Sequence, residues 1–317
     1  MTADHLLLRV TDIAAEAKDA VVIELRDANG GELLPFTPGA HIELHLPNKF
    51  IRHYSLCNDA RERDRYRIGV GLSPNSRGGS RFIHHLLRVG EMLRASAPRN
   101  NFPMAEGVSH HHFIAGGIGI TPILSMIRAC EAKGQDWHLT YLVRSRQRAA
   151  FLEELQPFAG RVTLYADDEA GGFLDVHHLV NGIAADAAIY CCGPSPLMTA
   201  VEAAAEGRPP ELVRFEWFSA REIAHEASPG GFTVRLARSG VTLQVPPDRT
   251  ILETLEDHGI EAPFACREGI CGTCEMRLLA GLPDHRDSVL SKAEQDRNET
   301  IIICCSRAKT DELELDY

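Results

Sequence analysis

The most distinctive chemistry in the chain belongs to four cysteines. Cys266, Cys271 and Cys274 form a C-x4-C-x2-C pattern, and Cys304 follows after 29 intervening residues. Thiolates at these spacings hold a 2Fe-2S cluster, which exchanges one electron at a time. The glycines in the run suit that chemistry, because main chain must approach the cluster sulfurs closely at Gly269 and Gly272. The alternatives are a structural zinc site or coincidental thiols. Zinc more usually takes two C-x2-C pairs, and only one is present. Cys305 adjoins Cys304, so residue type alone leaves the fourth ligand open between them. Cys57 and Cys130 read as buried small hydrophobes.

A second chemistry is suggested by Gly116-Gly117-Ile118-Gly119-Ile120-Thr121-Pro122, which follows an apolar run and opens a helical one. Glycines admit a pyrophosphate to the backbone, and the helix start supplies N–H donors and a positive dipole, with Pro122 expected at the first helical position. The run is not G-x-G-x-x-G, so alone it is an ordinary strand-to-helix turn as readily as a dinucleotide site. Cys192-Gly193-Pro194 closes a later apolar strand in the same way. After the strand ending at Val143 comes Arg144-Ser145-Arg146, a fork that suits the 2′-phosphate of NADPH, whereas NADH sites usually carry an acid there.

A nicotinamide gives up two electrons together and an iron–sulfur cluster accepts one, so a flavin between them is required. Arg52-His53-Tyr54-Ser55 and Arg77-Gly78-Gly79-Ser80 offer it a place. The second is a phosphate cradle with a cation beside it, ahead of a predicted helix.

These groups need elements to position them. At 317 residues the chain predicts two domains or three small ones, and a 44% hydrophobic, 24% charged composition is that of a soluble globular protein. Short runs at Leu6–Val10, Val21–Leu25, His41–Leu46, Tyr54–Cys57 and Tyr66–Val70, separated by turn signals, predict an antiparallel β-barrel over 1–104, with a helix at Ser80–Leu87. From 105 to 226 apolar strands alternate with helical stretches, which predicts an α/β domain on a parallel sheet. A polar stretch at 221–231 reads as a linker. Residues 232–317 return to hairpin strands, then a helix with a capping box at Thr250 and Glu253.

The composition also excludes partners. A net charge of −11, with the excess acid beyond residue 105, opposes nucleic-acid binding. The longest uncharged stretch, 107–127, is broken by histidines, glycines and a proline, so no membrane span is expected. The N-terminus lacks the pattern of a signal peptide, and nine cysteines without one predict reduced thiols and a cytoplasmic protein. His110-His111-His112 reads as entry into a strand rather than a metal site. The pairs His84-His85 and His177-His178, on helical stretches, read as packing or surface, and Phe215-Glu216-Trp217-Phe218 as core and anchor for the linker.

Residues 232–317 resemble the plant-type ferredoxins, which implies an α+β (β-grasp) fold and favours Cys304 as the fourth ligand. The two glycine turns resemble the NAD(P)-binding domain of the ferredoxin–NADP reductase superfamily. That resemblance implies that Gly116, Gly117, Gly119, Thr121, Arg144, Gly193 and Pro194 bind the dinucleotide and that Cys192 lies beside the nicotinamide, with Cys191 a buried thiol. Arg52-His53-Tyr54-Ser55 matches the superfamily's R-x-Y-S motif, which implies Tyr54 and Ser55 along the isoalloxazine and Arg52 at the phosphate, joined by Arg77, Gly79 and Ser80. The order of the three modules resembles the phthalate dioxygenase reductase and vanillate O-demethylase reductase family over nearly the whole chain. It implies an enzyme that passes electrons from NADH through FMN and a 2Fe-2S cluster to a Rieske-type terminal oxygenase of aromatic catabolism, with a monomer sufficing. FAD in place of FMN, NADPH in place of NADH, and a non-catalytic redox sensor are the alternatives.

Overall fold

A computed structural model describes residues 5–48, 50–73, 78–219 and 230–317. The chain divides into two compact units, Met1–Phe218 and Ser219–Tyr317.

The first unit opens with strands β1 (Leu6–Ala17), β2 (Ala20–Asp27), β3 (His41–His45), β4 (Ile51–Ser55), β5 (Tyr66–Gly71) and β6 (Met92–Ala95). They form one antiparallel sheet in the order β4-β3-β6-β1-β2-β5. A bridge between Leu56 and Ile68 joins its two ends, so the sheet closes as the alternating pattern predicted. Inward positions such as Leu8, Ile23, Leu25, Ile42, Leu44 and Ile68 fill the interior. Strand β1 runs seven residues beyond the predicted Val10, because a register shift between Val10 and Asp12 lets pairing continue past the acid. Helix α1 (Gly79–His85) lies where a helix was expected.

A parallel sheet completes this unit, with strands β7 (His110–Gly116), β8 (Asp136–Val143), β9 (Val162–Ala166), β10 (Ala188–Cys192) and β11 (Val213–Glu216) in the order β11-β10-β7-β8-β9. Helices α2 (Ile120–Lys133), α3 (Leu152–Leu155), α4 (Asp167–Ala170), α5 (Val176–Asn181) and α6 (Ser195–Ala204) connect them. Both faces are covered. Phe113, Leu139, Tyr141 and Tyr190 pack into a core shared with Val22, Cys57 and Phe102 of the barrel half. Their neighbours in sequence, Ile114, Ile189 and Cys191, face Met198, Val201 and Trp217 on the opposite side. That two-sided burial explains why these strands read as continuous apolar runs.

The second unit contains β12 (Phe232–Leu236), β13 (Thr242–Val245), α7 (Ile251–Asp257), β14 (Glu275–Ala280), β15 (Pro283–Asp284), α8 (Lys292–Arg297), β16 (Thr300–Ile302), β17 (Arg307–Ala308) and β18 (Glu312–Leu315). Its mixed sheet, β13-β12-β18-β14-β16, pairs the first and last strands in parallel. Helix α7 starts at the predicted capping box and buries Ile251, Leu252 and Leu255 against the sheet. The expected linker, 221–231, falls mostly outside the described residues. No helix among those described is long and apolar enough to cross a membrane.

Candidate functional site

The residues expected to meet the nicotinamide collect at the carboxyl ends of the parallel strands, beyond which α/β proteins hold their ligands. Strand β10 ends at Cys192, in register with Ala115 of β7 on one side and Glu216 of β11 on the other. The two glycine turns that follow pack backbone to backbone. A Cβ at Gly119 would stand 2.2 Å from the Cys192 carbonyl oxygen, and one at Gly116 would stand 2.6 Å from Pro194 Cδ. These two glycines are therefore small because the C-G-P turn touches them. Gly117, with φ +53° and nothing within 4 Å of its Cβ position, is the one that leaves main chain open to a pyrophosphate.

Two expectations shift in detail. Residues Gly117–Gly119 wind into a 3-10 turn, so α2 begins at Ile120 and Pro122 is its third residue rather than its first; its missing N–H is still one that the helix start leaves unbonded. Thr121 is 1% exposed, donates its hydroxyl to the Ile118 carbonyl at 3.0 Å, and sets its methyl against Gly69 of the barrel. It seats the turn on the barrel. Arg144 directly follows β8, and the Arg146 side chain is held by Glu169 through two hydrogen bonds of 2.9 and 3.0 Å.

The barrel contributes the other half. Ser55, at the end of β4, donates its hydroxyl to Glu216 Oε2 at 3.0 Å, which brings the R-x-Y-S strand to the nicotinamide end of the parallel sheet. Glu216 keeps 11% of its side-chain surface exposed, and burial pushes its carboxyl up to about 8 despite the Ser55 hydrogen bond. The Cys192 thiol is fully buried; burial, with Glu216 beside it, holds it well above the usual range and therefore uncharged. Burial likewise raises the Tyr54 phenol.

Sequence reading placed Glu216 in a packing segment. Its position opposite Cys192 emerges only from the parallel register of β10 and β11.

The residues present fit a flavin phosphate. Arg52 lies over the Phe50 ring at 4.8 Å and alongside Gly79, where a Cβ would come within 2.7 Å of its Nε. Gly79 and Ser80 begin α1, so the cation and the turn adjoin as expected. Arg77 lies outside the described residues.

In the second unit the Cys271 and Cys304 thiols act electrostatically on that of Cys266, and the Glu268 N–H reaches Cys266 Sγ at 3.3 Å. Cys271, Cys274 and Cys304 are 3%, 2% and 5% exposed. Gly269 and Gly272 adopt φ +67° and +72°. A Cβ at Gly269 would meet Cys305 Sγ at 2.5 Å, so Cys305 packs against the loop. Among the described residues no three His, Cys, Asp or Glu side chains converge as ligands of a single ion. Closely placed thiols met by backbone N–H groups are a donor set that suits a 2Fe-2S cluster.

Comparison with known proteins agrees with both halves of this picture. Residues 113–203 match the oxidoreductase NAD-binding domain, and residues 234–309 match the 2Fe-2S iron-sulfur cluster binding domain. The chain is 46% identical to the phenoxybenzoate dioxygenase subunit beta of Ectopseudomonas oleovorans, covering 98% of this chain and 96% of that protein. It is 42% identical to the vanillate O-demethylase oxidoreductase of Pseudomonas putida, covering 95% and 96%. Among solved structures, phthalate dioxygenase reductase, described as a modular structure for electron transfer from pyridine nucleotides to 2Fe-2S, superposes with a TM-score of 0.72 at 37% identity over 99% of this chain and 98% of that one. An intact type IV self-sufficient cytochrome P450 monooxygenase matches with a TM-score of 0.91 at 38% identity over 99% of this chain, which spans only 41% of that longer protein. With likeness of this extent from end to end, the chain belongs to the family of iron–sulfur oxygenase reductases that includes phthalate dioxygenase reductase and vanillate O-demethylase oxidoreductase.

Proposed function

We propose that this protein oxidises NADH and delivers the electrons singly, through FMN and a 2Fe-2S cluster, to a separate Rieske-type terminal oxygenase of aromatic breakdown. The observation that carries the reading is the Ser55–Glu216 hydrogen bond beside Cys192, which joins barrel and nucleotide sheet at one buried point. A bound flavin supplies the conversion of a hydride into single electrons, which neither nicotinamide nor cluster performs.

The chain's own residues do the rest. Gly117 opens the backbone to the dinucleotide pyrophosphate. The uncharged Cys192 thiol gives the nicotinamide a neutral wall. Ser55 and Tyr54 line the flavin ring, and Arg52, Gly79, Ser80 and Arg77 hold its phosphate. Glu216, protonated at neutral pH, holds a proton within reach of Ser55. Cys266, Cys271, Cys274 and Cys304 ligate the cluster. In this reading the cofactor modules span 1–104, 105–226 and 232–317, and the protein works as a cytoplasmic monomer.

Anaerobic titration of the purified protein with NADH tests it. The absorbance of one flavin and one cluster per chain should bleach, and acid extraction should release FMN, iron and sulfide. A preparation that binds FMN, iron and sulfide but is not reduced by NADH contradicts the reading.

A further inference from the structure

The hydride removed from NADH consists of one proton and two electrons. On the reading above, both electrons leave for the cluster, so each NADH converted to NAD⁺ also leaves one proton behind. That proton is set free where Ser55 and Cys192 are 3% and 0% exposed, and it must reach water.

Strands β3 and β4 carry a row of titratable side chains leading away from this point. Alternation puts His41, Glu43 and His45 on one face of β3, and the register sets Ser55 opposite His41 and His53 opposite Glu43. His41 Nδ1 stands 3.9 Å from Glu216 Oε1, and the His41 and His53 rings meet edge to face with centroids 5.4 Å apart. Glu43 Oε1 is 2.9 Å from His45 Nε2. The His45 side chain is 29% exposed, and its ring touches that of exposed His5 at 4.8 Å.

Packing alone does not account for this row. His41 and Glu43 are 6% and 7% exposed, and His41 Nδ1, Glu43 Oε2 and both His53 nitrogens are buried without a hydrogen-bond partner. Each such atom forfeits its hydration with nothing in return, a loss that apolar residues at the same positions would avoid.

We propose that His41, His53, Glu43 and His45 form the proton exit that connects Glu216 to solvent. The proposal rests on the electron-transfer reading above. Its electrostatics suit relay rather than storage. His41 is faced by Glu216, His53 and Arg99, and burial, then His53 and Arg99, lower it to about 3, so it stays neutral and can accept a proton at one nitrogen while donating from the other. Glu216 is faced by Ser55, His41 and Cys192 and is neutral below about pH 8. Arg94 of β6 lies across from His45 at the outer end.

The test uses the holoprotein in weakly buffered solution with a pH-indicator dye, mixed anaerobically with NADH in a stopped-flow instrument. In the wild type, proton release should keep pace with cluster bleaching. In Glu43→Gln and His45→Ala it should lag by roughly tenfold or more, with a larger solvent deuterium isotope effect on cluster reduction. Added imidazole should restore release in His45→Ala by replacing the outer ring. The proposal is overturned if both variants release protons at the wild-type rate, or if the His45→Ala defect shows no isotope effect and no rescue. Failure of NADH to bleach the wild-type chromophores would instead bring down the electron-transfer reading, and this proposal with it.

Discussion

Glu216 shows what the site demands of a single side chain. A carboxyl held at about 8 in the fold and near 4.5 when unfolded keeps its proton in the folded chain and loses it in the unfolded one. Stability therefore falls as pH rises from about 4.5 to 8 and is level above that. At about 1.4 kcal/mol per pKa unit the total is several kcal/mol. Glu216→Gln removes the titration while keeping an acceptor for Ser55. Its Tm should exceed that of the wild type by several degrees at pH 8.5, and the difference should vanish near pH 4.5, as thermal melts at the two pH values would show. An equal difference at both would mean that Glu216 is not held neutral by burial. The residue was illegible in the sequence because its partner, Ser55, lies 161 positions away and because an acid among aromatics on a short strand looks like packing. The cysteine ligands and the R-x-Y-S strand were legible for the opposite reason: their chemistry is local, and spacing records it. The polar row from His41 to His45 was missed because alternating His and Glu on a barrel strand looks the same whether its outer face is wet or covered.

At the scale of elements, glycine placement decides whether the two turns can meet. Any side chain at Gly119 drives a Cβ onto the Cys192 carbonyl, 2.2 Å away, and backbone on both sides leaves little room to yield. Gly119→Ala should cost about 1–3 kcal/mol and slow reduction of the bound flavin by NADH. Chemical denaturation together with single-turnover kinetics checks both effects, and an unperturbed variant would show that the turns are not in contact. Most elements followed from pattern alone, because apolar alternation and turn residues lie within a few positions of each other. The exceptions have identifiable causes. Strand β6 has only two buried residues, Leu93 and Ala95, too few to establish a period. Helix α3 begins only at Leu152 because Phe151 takes φ +62° to donate its N–H to Glu16 of the barrel at 2.7 Å, a contact between sheets that no local pattern encodes.

At the scale of the whole molecule, the chain separates its two kinds of electron chemistry. On the proposed reading the hydride site lies within Met1–Phe218, and Cys266, Cys271, Cys274 and Cys304 lie within Ser219–Tyr317. The change from barrel alternation to strand–helix alternation and back is a long-range property of hydrophobic period and is legible in the sequence. The separation also provides a decisive experiment. Both ferricyanide and cytochrome c take one electron at a time; on the proposed reading the small ferricyanide ion draws electrons directly from the flavin half, whereas cytochrome c draws them through the cluster. In Cys271→Ser, with iron and sulfide assayed alongside, NADH-driven ferricyanide reduction should persist while cytochrome c reduction falls to background and the cluster is lost. Full cytochrome c reduction by a Cys271→Ser protein without iron would contradict the claim that this chain passes its single electrons out through a cluster on those cysteines.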